Sequence, residues 1–158
     1  MIHLRKITEE NFIDAFNLKL APDQERFVSH PVRSLAQAYV YREQCQPFGI
    51  YEGDTMVGYV MVIYDYDIPE YDIWHMMIDE SNQHQGYGSA AMDCVLDYIK
   101  TKPFGASDRV ALTCNKDNEI FHYPSAYNRI VRQNEERDDY RYDTKSSPSF
   151  CQSAVGCK

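Results

Sequence analysis

Apolar positions recur along the chain with two periods, and each change of period marks an element. Residues 2–7 alternate, with Ile2 and Leu4 facing away from His3 and Arg5, which predicts a first strand. Thr8, followed by Glu9 and Glu10, has the character of a helix cap. Phe12, Ile13, Phe16 and Leu20 then carry a helix to about residue 20. Ala21-Pro22-Asp23 breaks it. A second helical stretch covers residues 24–43, interrupted at His30-Pro31, with Ser34 placed to cap its later part and Leu35, Ala38, Tyr39 and Tyr41 as its apolar surface. Gln46-Pro47 ends that stretch. Residues 48–51 and 56–64 read as strands joined by a hairpin turn at Glu52-Gly53-Asp54. Residues 65–70 form a loop, because Pro69 cannot join a central ladder.

The densest signal follows. Residues 72–80 predict a strand, residues 83–89 a glycine-bearing loop, and the next stretch a helix with Ala91, Met92, Val95, Leu96 and Ile99 on one face. The helix stops near Lys102-Pro103. Residues 109–114 predict a further strand, and Asn115-Lys116-Asp117-Asn118 a turn into a helix from Glu119. The order β-α-α-β-β-β-loop-α-β-α describes a mixed α/β layer, not a repeat. A strand that ends in a glycine loop and feeds a helix aims several backbone N–H groups one way, and the helix dipole adds positive potential there. Such a turn suits a phosphate or pyrophosphate. Gln83-x-x-Gly86-x-Gly88 is not a dinucleotide fingerprint, since the third glycine is missing, and no Lys-Ser/Thr follows it as in a Walker loop. A plain tight turn is the bland alternative.

Composition narrows the partners. A chain of 158 residues fits one domain, and a net charge of −8 argues against nucleic acid while suiting a cationic substrate. No apolar run is long enough to span a bilayer, and the first residues carry no signal-peptide pattern, so no membrane partner is expected. Cys45, Cys94, Cys114, Cys151 and Cys157 form no C-x-x-C pair. They read as free thiols in a cytoplasmic protein, and no ligand spacing supports a metal site.

Gln83-x-x-Gly86-x-Gly88, on the exit of the strand Trp74-His75-Met76-Met77-Ile78-Asp79, resembles the acetyl-CoA signature of the GNAT superfamily of N-acetyltransferases. Leu112 to Ile120 resembles the family's next strand and helix start, and Ser34-Leu35-Ala36, Gly49-Ile50-Tyr51 and Val57-Gly58-Tyr59 fall in the family's order. The likeness covers about residues 2–120 and is strongest to bacterial spermine/spermidine (diamine) acetyltransferases. It implies an α/β fold with a mostly antiparallel mixed sheet, flanking helices and a splayed central strand. It also implies acetyl-CoA as co-substrate. The backbone of Met76, Met77 and Ile78 would hold the pantetheine arm. The loop Gln83, His84, Gln85, Gly86, Tyr87, Gly88 and Ser89 would hold the pyrophosphate, with Asn118 nearby. The acceptor would be a small cationic amine such as a polyamine, and a homodimer is compatible with it.

The implied reaction is direct attack of a neutral amine on the thioester. An alkylammonium must first lose a proton, so a base or a water relay is needed. His75 titrates in a useful range and, by strict alternation, points away from Trp74. Asp72 and Glu70 are alternatives acting through water. Asp65, Asp67, Glu70 and Asp72, interleaved with Tyr64, Tyr66 and Tyr71, suit an organic cation, with Asp67, Glu70 and Tyr71 as contacts. A half-buried strand histidine and a solvated acidic loop are the plainer readings. After Ile120 the chain departs from the family pattern. The tyrosine that serves as acid for the leaving thiolate is displaced, leaving Tyr127 as the nearest candidate, and residues 134–147 show no convincing strand alternation. The domain is therefore drawn as residues 1–145, atypical over 121–145, with 146–158 a tail. A shifted reading frame near codon 120 and a divergent functional end both fit. The first leaves room for an acetyl-CoA-binding module with little catalysis.

Overall fold

A computed structural model describes residues 1–115, 132–133 and 137–143. Among them, seven strands form one sheet in the order β1-β2-β3-β4-β5-β7-β6. The strands are β1 (Ile2–Lys6), β2 (Cys45–Glu52), β3 (Thr55–Asp65), β4 (Glu70–Ile78), β5 (Arg109–Asn115), β6 (Arg132–Gln133) and β7 (Arg137–Asp143). The helices are α1 (Phe12–Asn17), α2 (Pro31–Val40) and α3 (Tyr87–Lys100). Neighbouring strands are antiparallel except β4 and β5, which are parallel.

The sheet has two apolar faces. On one, α3 lays Ala91, Met92, Val95, Leu96 and Ile99 against Ile50, Val60, Val62, Tyr71 and Ile73. On the other, Ala15 and Leu18 from the α1 region and Ala38 of α2 cover Tyr51, Tyr59, Met61 and Met77. The central strands carry near-continuous apolar runs, as in β3, because each buries side chains on both sides.

Several boundaries differ from the sequence pattern, each for a local reason. Helix α1 is short. Asn11 Oδ1 accepts from the Thr8 N–H (2.8 Å) and Thr8 Oγ1 from the Glu10 N–H (3.3 Å), which closes a turn where the first helical turn was expected. The helix ends at Asn17, where Leu18 turns extended and Lys19 bonds to the end of β4. Residues 22–27 are turns, and α2 begins at Pro31. His30 is its cap, accepting from the Val32 N–H at Nδ1 (3.3 Å), and Pro31 takes the first-turn position that needs no N–H. Ser34 is thus inside the helix, not at its cap.

β2 starts two residues before Pro47, because β1 ends opposite Phe48 and leaves β2 an edge there, which a proline tolerates. β4 starts at Glu70 instead of Asp72 and stops at Ile78, where Asp79 caps a short 3₁₀ turn. β7 pairs along the whole of β5, in a stretch whose sequence shows no strand alternation. Ladder hydrogen bonding to a free edge does not require it. The helix expected from Glu119 lies outside the described residues.

Candidate active site

The site is built on β4, and two irregularities shape it. The first is a splay. β4 pairs with β5 at Tyr71↔Val110 and Asp72↔Ala111, and the register stops there, although β4 runs on to Ile78 and β5 to Asn115. Beyond Asp72 the β5-facing side of β4 is open. In a pleated strand alternate N–H and C=O groups point to that side, so Met76, Met77 and Ile78 lie on a stretch that can pair with an extended ligand.

The second irregularity is a bulge. Met61 pairs with His75 but Val62 pairs with Ile73, so Trp74 is an extra residue in β4. The side-chain phase flips across it. Tyr71 and Ile73 face α3 before the bulge, and Met76 and Ile78 do so after it. Trp74 and Met77 face the α1–α2 side. His75 joins that side, its Nδ1 2.7 Å from Ser34 Oγ of α2, and its ring stacks on Trp74 with centroids 5.3 Å apart. The expectation that Trp74 and His75 point to opposite faces is therefore corrected. Alternation holds only in a regular strand, and the extra residue cancels it. Burial, then the nearby Arg33 charge, lowers the His75 pKa to about 4, so the imidazole is neutral at neutral pH.

The glycine loop joins this strand to α3. Gly86 caps the helix in the left-handed conformation (φ 79°), whose steric cost a glycine avoids. It offers no side-chain cap, and the first helical hydrogen bond runs from the Ala90 N–H to the Gly86 carbonyl (3.1 Å). The N–H groups of Tyr87, Gly88 and Ser89 are left for an anion, on a helix with no acidic residue in its first turn. Gly88 does not share the special dihedral. A Cβ there would meet Ile78 Cγ1 at an ordinary 3.8 Å. The second left-handed residue is instead His84 (φ 61°), an exposed non-glycine residue. The opened strand and the uncapped helix start fit a pantetheine pyrophosphate.

Gln83 has a different task from its neighbours. Its Nε2 donates to the Ile78 carbonyl (3.0 Å) and to Gln24 Oε1 (2.7 Å), while Gln24 Nε2 donates back to Gln83 Oε1 (3.0 Å). This amide pair fastens the end of β4 to the segment between α1 and α2. Asp79 Oδ2 accepts from the Lys19 N–H (2.8 Å), and the Glu80 N–H donates to the Lys19 carbonyl (2.8 Å), so the same segment is held at two points.

The remaining predicted residues separate. Glu70 and Asp72 lie on β4 and share the α1–α2 side with His75, by the pleat before the bulge. Asp67 is exposed in the turn at 65–69, where Asp65 Oδ1 accepts from the N–H groups of Asp67 (2.8 Å) and Ile68 (3.2 Å). Tyr71 is corrected. It is a β4 residue with 0% exposure, and its hydroxyl donates to the Gly105 carbonyl (2.9 Å) and accepts from the Phe104 and Gly105 N–H groups (3.1 and 3.2 Å). It braces the β5 approach and has no surface for an acceptor. Tyr127 and Asn118 lie outside the described residues.

Ser34, Tyr59 and Gln24 contact the site and were not expected there. Ser34 carried a signal: it lies at helical spacing from Pro31 and Ala38, so it occupies a core position, where a hydroxyl needs a partner. Gln24 carried none. Among the described residues no cluster of metal ligands occurs, and no helix is long and apolar enough to cross a membrane.

Comparison with family models matches residues 6–122 to the acetyltransferase (GNAT) family. The chain belongs to the GNAT family. No curated protein matches it by sequence. Solved structures with the GNAT fold resemble it closely in shape. A spermidine N-acetyltransferase from Vibrio cholerae, in complex with CoA and spermine, superposes with a TM-score of 0.65 at 12% identity, covering 92% of this chain and 96% of that one. The PaiA N-acetyltransferase from Thermoplasma acidophilum, with coenzyme A, gives 0.65 at 10% identity over 90% and 99%. The ribosomal-protein-S18-alanine N-acetyltransferase from Escherichia coli gives 0.59 at 13% identity over 96% and 99%. This GNAT chain is an acetyltransferase with acetyl-CoA as co-substrate.

Proposed function

We propose that this GNAT enzyme transfers the acetyl group of acetyl-CoA to a primary amine of a small cationic acceptor, a polyamine or diamine, by direct attack on the thioester. The observation that carries the reading is the bulge at Trp74. It brings His75 onto the face of β4 that also holds Glu70 and Asp72, beside the opened edge where the cofactor arm fits. The partly exposed Asp72 on this face, with Asp65, Asp67 and Tyr66 exposed on the adjoining turn, favours a cation, whereas Glu70 is buried. The −8 net charge acts in the same sense.

Met76, Met77 and Ile78 hold the pantetheine arm through their backbone. The loop from Gln83 to Ser89 holds the pyrophosphate, with Gln83 shaping it and Tyr87, Gly88 and Ser89 donating N–H groups. Asn118 adds a cofactor contact. Asp72, through water, takes the ammonium proton. Tyr127 is the candidate acid for the departing thiolate, which has a pKa within reach of neutral and needs little help.

Thiol release from acetyl-CoA, measured with spermidine, spermine, short diamines and an alanine-initiated peptide, tests this. Turnover with the polyamines supports the reading. Turnover with the peptide alone assigns a protein N-terminus as acceptor. Acetyl-CoA binding without release to any amine leaves a cofactor-binding module.

A further inference from the structure

Ser34 lies between three groups. It is fully buried on α2, and its Oγ is 2.7 Å from His75 Nδ1, 2.9 Å from the Tyr59 hydroxyl and 3.5 Å from Met61 Sδ. The direction of each hydrogen bond follows from counting protons. Tyr59 is 1% exposed, and burial pushes its pKa well up, so the phenol keeps its hydrogen. Among the described residues Ser34 is the partner of that hydroxyl. A buried donor left without an acceptor is costly, so Tyr59 donates to Ser34.

Ser34 then has one hydrogen and two acceptors in reach. A thioether is a weak acceptor and an imidazole nitrogen a strong one, and the nitrogen is much the nearer. Ser34 therefore donates to Nδ1. A neutral imidazole that accepts at Nδ1 carries its proton on Nε2.

We propose that the chain Tyr59–Ser34–His75 fixes His75 as its Nε2–H tautomer, so that His75 meets the substrates as a hydrogen-bond donor and not as the base. Ser34 and Tyr59 are positioning residues for it. The functional half of this inference rests on the acetyl-transfer reading above; the tautomer does not. Nε2 has no hydrogen-bond partner among the described residues, and the ring is half-buried, so this nitrogen is open to a substrate oxygen or an ordered water. To accept the amine proton the ring would have to protonate Nδ1 and turn the Ser34 hydrogen onto Met61 Sδ. Arg33 of α2 is the charge acting on the ring, and it opposes a second positive charge there. The proton of the ammonium leaves by the carboxylate route instead.

The test is nitrogen-detected NMR of ring-labelled histidine in the full-length protein, between about pH 5 and 8. The expected spectrum for His75 shows a protonated Nε2 and a bare Nδ1 throughout, and Ser34→Ala converts it to a tautomer mixture. A protonated Nδ1 in the wild-type neutral ring, or a titration in the ordinary histidine range, overturns the proposal. Kinetics provide the second arm. His75→Gln retains a donor and should keep kcat/KM within about tenfold of wild type, while His75→Ala loses more. Equal losses in the two variants would restore a base role and overturn the donor role. Absence of turnover with every amine would defeat the acetyl-transfer reading while leaving the NMR result standing.

Discussion

Gly86 and His75 show how single residues set the site. Gly86 holds a positive φ in open space, and a methyl group placed on its Cα would have nothing within 4 Å, so any cost of substitution is backbone strain and not a clash. Gly86→Ala should lower stability by about 1–2 kcal/mol, measurable by denaturant unfolding. Gly86→Glu adds a negative charge at the uncapped helix start and should abolish acetyl-CoA binding in calorimetry; unchanged affinity would remove the loop from the cofactor site. Gly88→Ala, which meets only an ordinary contact, should leave the free protein as stable as wild type. His75 makes stability depend on pH. Its folded pKa of about 4 lies below the unfolded value of 6.5, so between these limits the unfolded chain binds more protons. Stability from this group is present above pH 6.5 and is lost as pH falls towards 4. Thermal melts should decline across that window, and His75→Gln should flatten the decline.

At the scale of elements, β4 is held from both sides while one edge is kept open. Gly58 lets β3 approach it. A Cβ at Gly58 would run into the Met77 carbonyl oxygen and come within 2.9 Å of Ile78 Cδ1. The obstacle is backbone, so Gly58→Ala must move β4 at the residues proposed for the pantetheine arm. We expect a destabilisation of about 1–3 kcal/mol and a raised KM for acetyl-CoA, checked by unfolding and initial-rate kinetics. On the far side the Gln24–Gln83 amide pair and the bonds of Lys19 tie the α1–α2 segment to the strand end. That tie explains why the first helix is shorter than its apolar spacing predicts. The positions at Leu18 and Lys19 bond to β4 instead of continuing their own helix. The bulge at Trp74 is likewise a property of pairing, since two residues of β4 oppose one step of β3.

Across the whole molecule, acidic charge and an open strand edge combine. If the acceptor is a polycation, its KM should rise with added salt, because screening over about 8–10 Å weakens the −8 surface and its carboxylate face. An acceptor with one exposed charge should respond less; steady-state rates at several ionic strengths separate the two. The sequence by itself determined the order of the elements as far as β5 and the strand–glycine loop–helix unit. These follow from periodicity and from backbone rules at Gly86, which act within a few residues. It also marked Asp72 and His75 as chemistry on one strand. Only the tertiary structure decided which way they face. Side-chain phase along β4 depends on how it registers with β3, and one extra residue reverses it. The burial of Tyr71, the insertion of Ser34 between His75 and Tyr59, and the pairing of Gln24 with Gln83 join residues 25 to 59 positions apart. No local pattern encodes such contacts. They arise because closing the sheet between its helices leaves each buried polar group only the few partners that packing brings within reach.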